Sequence, residues 1–209
     1  MPLVPFDWNV IIRGFWNKAI FTPNRVSKNL FGLDEGTALQ VLVPIDGMNP
    51  LKMIHNNIVV SVNSDVLEIA MEKYEFPKIK ECLDIGTKAL SWLKETPVFA
   101  GGYNIRFKLT QQDAMSISDS IKTALDNSLS DAGYTIKERS SARVVVEGNG
   151  EIRLITKIGQ QGDVNITINF NKNSFIIADI VNWFSVSADY LEKKTKELLE
   201  NVYGIKESK

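Results

Sequence analysis

The chain has one cysteine, Cys82, and one histidine, His55, among its 209 residues. That pair falls short of the four ligands of a Cys/His zinc site, and one thiol cannot close an intramolecular disulfide. An unpaired thiol fits a reducing compartment, so a cytoplasmic location is expected. A basic surplus is missing as well. The 24 Lys and Arg stand against 25 Asp and Glu, a net charge of −1, whereas general nucleic-acid binders carry extra cations to neutralise phosphates. No stretch reaches the roughly 18 uninterrupted apolar residues of a membrane helix. Met1 to Asp7 sets no basic residue ahead of an apolar run, so no signal peptide is expected. Phosphate loops of the G-x-G-x-x-G or G-x-x-x-x-G-K-[ST] kind are lacking. No cofactor and no metal ion are therefore expected.

What is present is ordinary globular material, with 44% hydrophobic and 23% charged residues. Trp8 to Phe21 reads as a strand or bent hairpin in which Gly14 marks a bulge or a close backbone approach. Thr22-Pro23 opens a short helix that carries Val26, Leu30 and Phe31 and stops at Gly32. Leu39–Ile45, ending at the Asp46-Gly47 turn, is a further strand. The alternating runs Ile58–Val62 and Leu67–Met71 form a hairpin about Asn63-Ser64-Asp65. After Pro77, the residues Ile79, Cys82, Leu83, Gly86, Ala89, Leu90 and Leu93 recur at helical spacing. Beyond Pro97 the order returns: a strand over Val98–Leu109, then a helix capped by Thr110 and carrying Ile117, Ile121, Leu125 and Leu129. Strands follow at Tyr134–Glu138, Arg143–Glu147, Glu151–Ile158 and Val164–Phe170. One long C-terminal helix runs through Ile177, Phe184, Ala188 and Val202.

This is an α+β pattern in which strand, short helix, three or four antiparallel strands and long helix occur twice. Residues 1–97 and 98–209 are read as two halves of a tandem repeat that share one sheet. The layout resembles that of TATA-binding-protein-like and helix-grip folds, in which a curved antiparallel sheet wraps long helices on one face. No sequence motif of either accompanies it, and layout alone assigns no function.

Candidate reactive groups all have bland explanations. Cys82 lies on an apolar helical stripe, where burial disfavours the thiolate. His55 reads as a solvated turn residue just before a strand. Asp34-Glu35 lies between Gly32 and Gly36, and Asp46 sits in a turn; neither is spaced from another acid so as to hold a metal or form an acid–base couple. Gly101-Gly102 falls inside a strand, where a bulge that bends the sheet is expected. Asn165-Ile166-Thr167 matches a glycosylation acceptor, and its strand setting marks the match as chance. No catalytic residues are assigned.

Three binding surfaces are expected instead. Ile11, Phe15, Trp16 and Val59 form an apolar outer face in the first half, which a homo-oligomer would cover through a sheet face or strand edge. Ile166, Val164 and Ile168 with Ile177, Phe184 and Ala188 are the walls of a possible sheet–helix cavity for an apolar ligand. Arg143, Arg153 and Lys157, with Asn165, Thr167 and Asn169, are the groups of the second-half sheet that suit nucleic acid. The leading expectation is a non-enzymatic binding or assembly protein, homo-oligomeric and contacting a macromolecular partner. The apolar small-molecule binder and the nucleic-acid contact are the alternatives.

Overall fold

The computed structural model describes residues 4–45, 50–109, 114, 117 and 121–205. They form an α+β protein built on one nine-stranded antiparallel sheet. The elements are β1 (Asp7–Gly14), α1 (Pro23–Val26) continuing as a π-turn (Ser27–Phe31), β2 (Gln40–Leu42), β3 (Lys52–His55), β4 (Ile58–Val62), β5 (Val66–Met71), α2 (Lys78–Trp92) and β6 (Val98–Lys108). After these come α3 (Ala124–Asp131), β7 (Glu138–Glu147), β8 (Gly150–Gly159), β9 (Val164–Asn173), α4 (Ile177–Phe184) and α5 (Ala188–Tyr203). The spatial order is β2-β3-β4-β5-β1-β6-β9-β8-β7. Strands β1 and β6 run antiparallel near the centre, with β5 and β9 outside them.

Alternation sorts the side chains into two faces. One carries Trp8, Val10 and Ile12 of β1, Tyr103, Ile105 and Phe107 of β6, and Ile166, Ile168 and Phe170 of β9, all buried. The described helices pack on this side. Gly86 of α2 lets the Phe184 ring and Val10 approach to 3.4 Å of where a Cβ would lie. Tyr103 stacks between Trp8 and Trp183, with ring centroids 6.5 and 6.3 Å away. Tyr203 of α5 accepts a hydrogen bond from Thr156 of β8. The other face meets none of these helices.

Several sequence expectations are corrected. Trp8–Phe21 is not a hairpin; the strand ends at Gly14 and a short 3-10 turn covers Lys18–Ile20. Trp16 belongs to the core at 4% exposure, where its indole N–H donates to the Ile12 carbonyl. Strand β3 was not expected at all. Asn56 and Asn57 take positive φ values of 49° and 70°, the left-handed pair that a two-residue hairpin turn needs, and Asn57 exchanges two hydrogen bonds with Lys73. His55 thus ends a strand, and its ring lies 5.6 Å from that of Phe31.

Thr110 and Asp46 lie outside the described residues. Ala114 and Ile117 are helical and buried, but Leu125 and Leu129 belong to a separate helix, α3. Thr123 starts it afresh with a capping box to Asp126. Tyr134–Lys137 is not strand, and the residues from Glu138 to Glu147 form one unbroken strand. The C-terminal helix is two helices: α4 ends at Ser185, and the Ser187 hydroxyl caps α5 by accepting from the Tyr190 N–H.

The glycines part company with expectation in an informative way. The β1–β6 register slips at Arg13/Gly14, so Gly14 does mark an irregularity. Register across Gly101-Gly102 is unbroken on both sides, so no bulge forms there. Close approach explains the pair instead. A Cβ on Gly101 would lie 2.3 Å from Ile180 Cγ2, and one on Gly102 would lie 2.4 Å from the Phe170 carbonyl oxygen. Backbone on one side of Gly102 cannot rotate away as a side chain can. Gly102→Ala is expected to lower unfolding free energy by about 1–3 kcal/mol, read as a lower urea midpoint at unchanged slope. An unchanged midpoint contradicts this close packing.

Candidate functional site

On the helix-free face, register places one residue from each strand in a single row. From edge to edge it reads Gln40, Ile54, Val59, Ala70, Asn9, Asn104, Asn169, Arg153 and Val144. The row is apolar through β3 to β5, carries amides on β1, β6 and β9, and turns basic on β8.

The amides are joined. Asn169 Nδ2 donates to Asn104 Oδ1 at 2.8 Å, and Asn104 Nδ2 donates to Asn9 Oδ1 at 2.8 Å. Asn9 Nδ2 then donates to Glu68 Oε1 at 2.6 Å, and the Ser61 hydroxyl reaches Glu68 Oε2 at 3.4 Å. Five strands are thereby bridged by one polar chain ending on a carboxylate. Asn9 and Ser61 are each only 4% exposed, so their hydrogen bonds replace water contacts that the fold has removed. Asp7 and Arg106 form an ion pair one step along the same face.

The expected nucleic-acid groups divide. Arg153 stands opposite Asn169 and Lys157 opposite Asn165, so both share the helix-free face with Thr167. Arg143 does not join them. It pairs with Leu154, which puts it on the helix side by a one-residue parity, where its guanidinium donates to Ser141 Oγ and the Ala142 carbonyl. Lys157 sits 3.9 Å from the Glu138 carboxylate.

Of the ligand-lining candidates, Ile166 and Phe184 belong to the buried core, and Ile177 and Ala188 are half-buried residues packed against it. Phe184 fills the space between α2 and β6, beside Gly86 and Gly101. Of the expected outer apolar group, Ile11 and Val59 do share the helix-free face and are half-buried. Phe15 is exposed and tilts against Phe99 with centroids 6.1 Å apart. Asp34 and Glu35 line a pocket of about 660 Å³ with Lys28 and Thr37. Among the described residues no group of three or more His, Cys, Asp and Glu is placed to hold a metal ion. No described helix is long and apolar enough to cross a membrane.

Sequence reasoning missed Asn9, Asn104 and Glu68. The signal was there in part: Asn9 and Asn104 each lie between two apolar positions of an alternating strand, on the phase that also carries Asp7 and Arg106. Their partnership depends on the β1–β6 register, which no local pattern reveals.

Burial controls the titrating groups. Desolvation pushes the Cys82 thiol up to about 12 from an ordinary 9.0, with a smaller push from Glu81. Desolvation likewise raises Tyr103, with Tyr190 adding to it, and raises Tyr203 against an opposing hydrogen bond from Thr156. Lys194 is raised by its hydrogen bond to Glu147, 2.7 Å away.

No protein-family model and no curated protein matches this chain.

Two outcomes follow from this geometry. Asn104→Ala leaves Asn9 Oδ1 without its donor and the Asn169 amide without its acceptor, and is expected to cost about 1–3 kcal/mol in chemical denaturation; a neutral effect contradicts the coupling of the chain. The folded Cys82 pKa lies above its unfolded value, so its contribution is complete below pH 9.0 and fades as pH rises toward about 12. Stability measured across that window falls, Cys82→Ala falls less steeply, and native protein at neutral pH reacts with a thiol reagent far more slowly than unfolded protein. Rapid native labelling contradicts the buried placement.

Proposed function

We propose that this chain is a non-enzymatic binding or assembly protein that forms homo-oligomers and docks a protein partner on the helix-free face of its sheet. The row of joined amides carries the reading. It is a fixed polar pattern at the middle of the sheet, flanked by apolar residues on one side and Arg153 on the other. The single thiol and the single imidazole both lie off this face: Cys82 is in the core and His55 is against Phe31 on the other face. Macromolecular contact, rather than bond chemistry, is what such a surface suits.

A duplicated architecture belongs to the same reading. Strands β1 and β6 each open one half, residues 1–97 and 98–209, and they pair with each other. Next to each lies the last strand of its own half, β5 or β9, and chain order then runs backwards to either edge. That arrangement supports two similar units related about the β1–β6 junction, in the manner of the TATA-binding-protein-like layout.

Nucleic acid is the second reading, favoured by the exposed Arg153 and Lys157 beside Asn165 and Asn169. Anisotropy titration of short DNA and RNA at low salt tests it; absence of binding there removes it, because phosphate contacts only weaken as salt rises.

Affinity capture from the native cell, with quantitative comparison of three chains, tests the leading reading. A partner held by the wild-type chain and by Lys80→Glu, on exposed α2 surface, is expected to be lost from a Thr167→Arg, Asn171→Arg chain altered on the face. Equal retention by all three sinks it.

A further inference from the structure

Strand β7 is an edge strand ten residues long, paired with β8 along its whole length and with no described strand on its other side. The opposite edge, β2, has three residues. Long edges are normally blunted by a proline, charged side chains or a bulge, because unpaired N–H and C=O groups invite another strand. β7 has no proline and its register is continuous. Its charges, Glu138, Arg139, Arg143 and Glu147, are of both signs, so they can pair with a strand of complementary charge as well as repel one. It also exposes three consecutive valines, Val144, Val145 and Val146, at 52%, 42% and 81%.

We infer that β7 is a self-association edge at which a second copy of this chain adds its own β7 antiparallel, about a two-fold axis through Val145. This rests on the assembly reading above and names its partner. The segment Arg143-Val144-Val145-Val146-Glu147 is complementary to itself in that register. Arg143 falls opposite Glu147 of the second copy, Val144 opposite Val146, and Val145 opposite Val145. Residues directly opposite share a face and interact most strongly. On the helix side two Arg–Glu pairs therefore flank the paired Val145 side chains, and on the helix-free side the valines at 144 and 146 meet those of the second copy.

Registers that also keep the two faces aligned are worse. Centring on Val144 sets Arg143 opposite Val145 and Glu147 opposite Ser141, centring on Val146 sets Glu147 opposite Val145, and centring on Arg143 sets two arginines against each other. Arg143 has no carboxylate partner among the described residues and holds only Ser141 and Ala142. Glu147 accepts from Lys194 and Tyr190 on one oxygen, and a carboxylate has further lone pairs for a guanidinium. The contact is isologous and closes at two copies, joining the two sheets into one.

Light scattering behind size exclusion, with sedimentation over a concentration series, tests the inference on three preparations. Wild type is expected to be a dimer of the 23.4 kDa chain. Arg143→Glu alone and Glu147→Arg alone each place like charges opposite one another, and each is expected to weaken dimerisation by about tenfold or more. When the two variants are mixed one to one, one end of the paired edges sets the two substituted side chains against each other and the other end sets the two native ones. The charges are opposite at both ends, and the heterodimer returns. A folding defect would not be repaired by mixing; thermal melts of each variant verify the fold. A dimer indifferent to both reversals, or variants that fail to recombine, overturns the β7 edge while leaving assembly through another surface intact. A strict monomer at high concentration overturns the inference and the homo-oligomeric part of the assembly reading together.

Discussion

Pairing between β1 and β6 is the constraint on which the rest of the molecule depends. It is the sole strand-to-strand junction in the described sheet between the first five strands and the last four. The residues it brings together are far apart in the chain, with Asn9 and Asn104 separated by 95 positions. Loop-closure entropy opposes so distant a contact, and the junction offsets it from both faces. On the helix side Trp8, Val10 and Ile12 are completely buried. On the other side the amides of Asn9 and Asn104 bond across the seam. Apolar burial supplies the larger stabilisation, and the hydrogen bonds select the register, since a one-residue slip would send the amides into the core and Trp8 out of it.

The helices close over this seam because small residues let them approach. Gly86 on α2 and Gly101 on β6 lie on either side of Phe184, which ties α4 to both. The chain breaks between α4 and α5 at Ser185–Ser187, and α5 then turns Leu191, Thr195 and Leu199 inward. Reactive groups are consequently incorporated as packing elements: Cys82 behaves as a small hydrophobe, and Tyr103 sits within a stack of rings.

Much of this was legible in the residues, and the boundary of legibility is physical. The α2 stripe from Ile79 to Leu90, the β4–β5 hairpin and the alternation of β9 are local periodicities, and each agrees with the structure. Strand β3 was hidden because Lys52–His55 is too short to show a period, and its turn uses two asparagines in place of glycine. The second-half helices were over-joined because Ile117 to Leu129 and Ile177 to Val202 keep a nearly helical spacing across interruptions. Thr123 and Ser187, both N-cap residues, were the overlooked stop signals. For the site, Arg153, Lys157, Asn165, Thr167 and Asn169 share a face as alternation within strands suggests. Arg143 fails because its side is set by pairing across a turn. The Glu68–Asn9–Asn104 linkage was beyond reach, since it requires knowing which distant strands are neighbours.

The amide chain also has a direction. Each link donates toward Glu68, an acceptor without a proton to give when ionised, so the orientation of Asn9 fixes that of Asn104 and, through it, Asn169. Turning over any one of them would set N–H₂ against N–H₂ or oxygen against oxygen. Three side chains that are usually free to rotate by half a turn are thereby held in one sense from a single anchored end. Whatever rests beside Asn169 and Arg153 meets a surface whose pattern of donors and acceptors is decided two strands past the seam, by one carboxylate on β5.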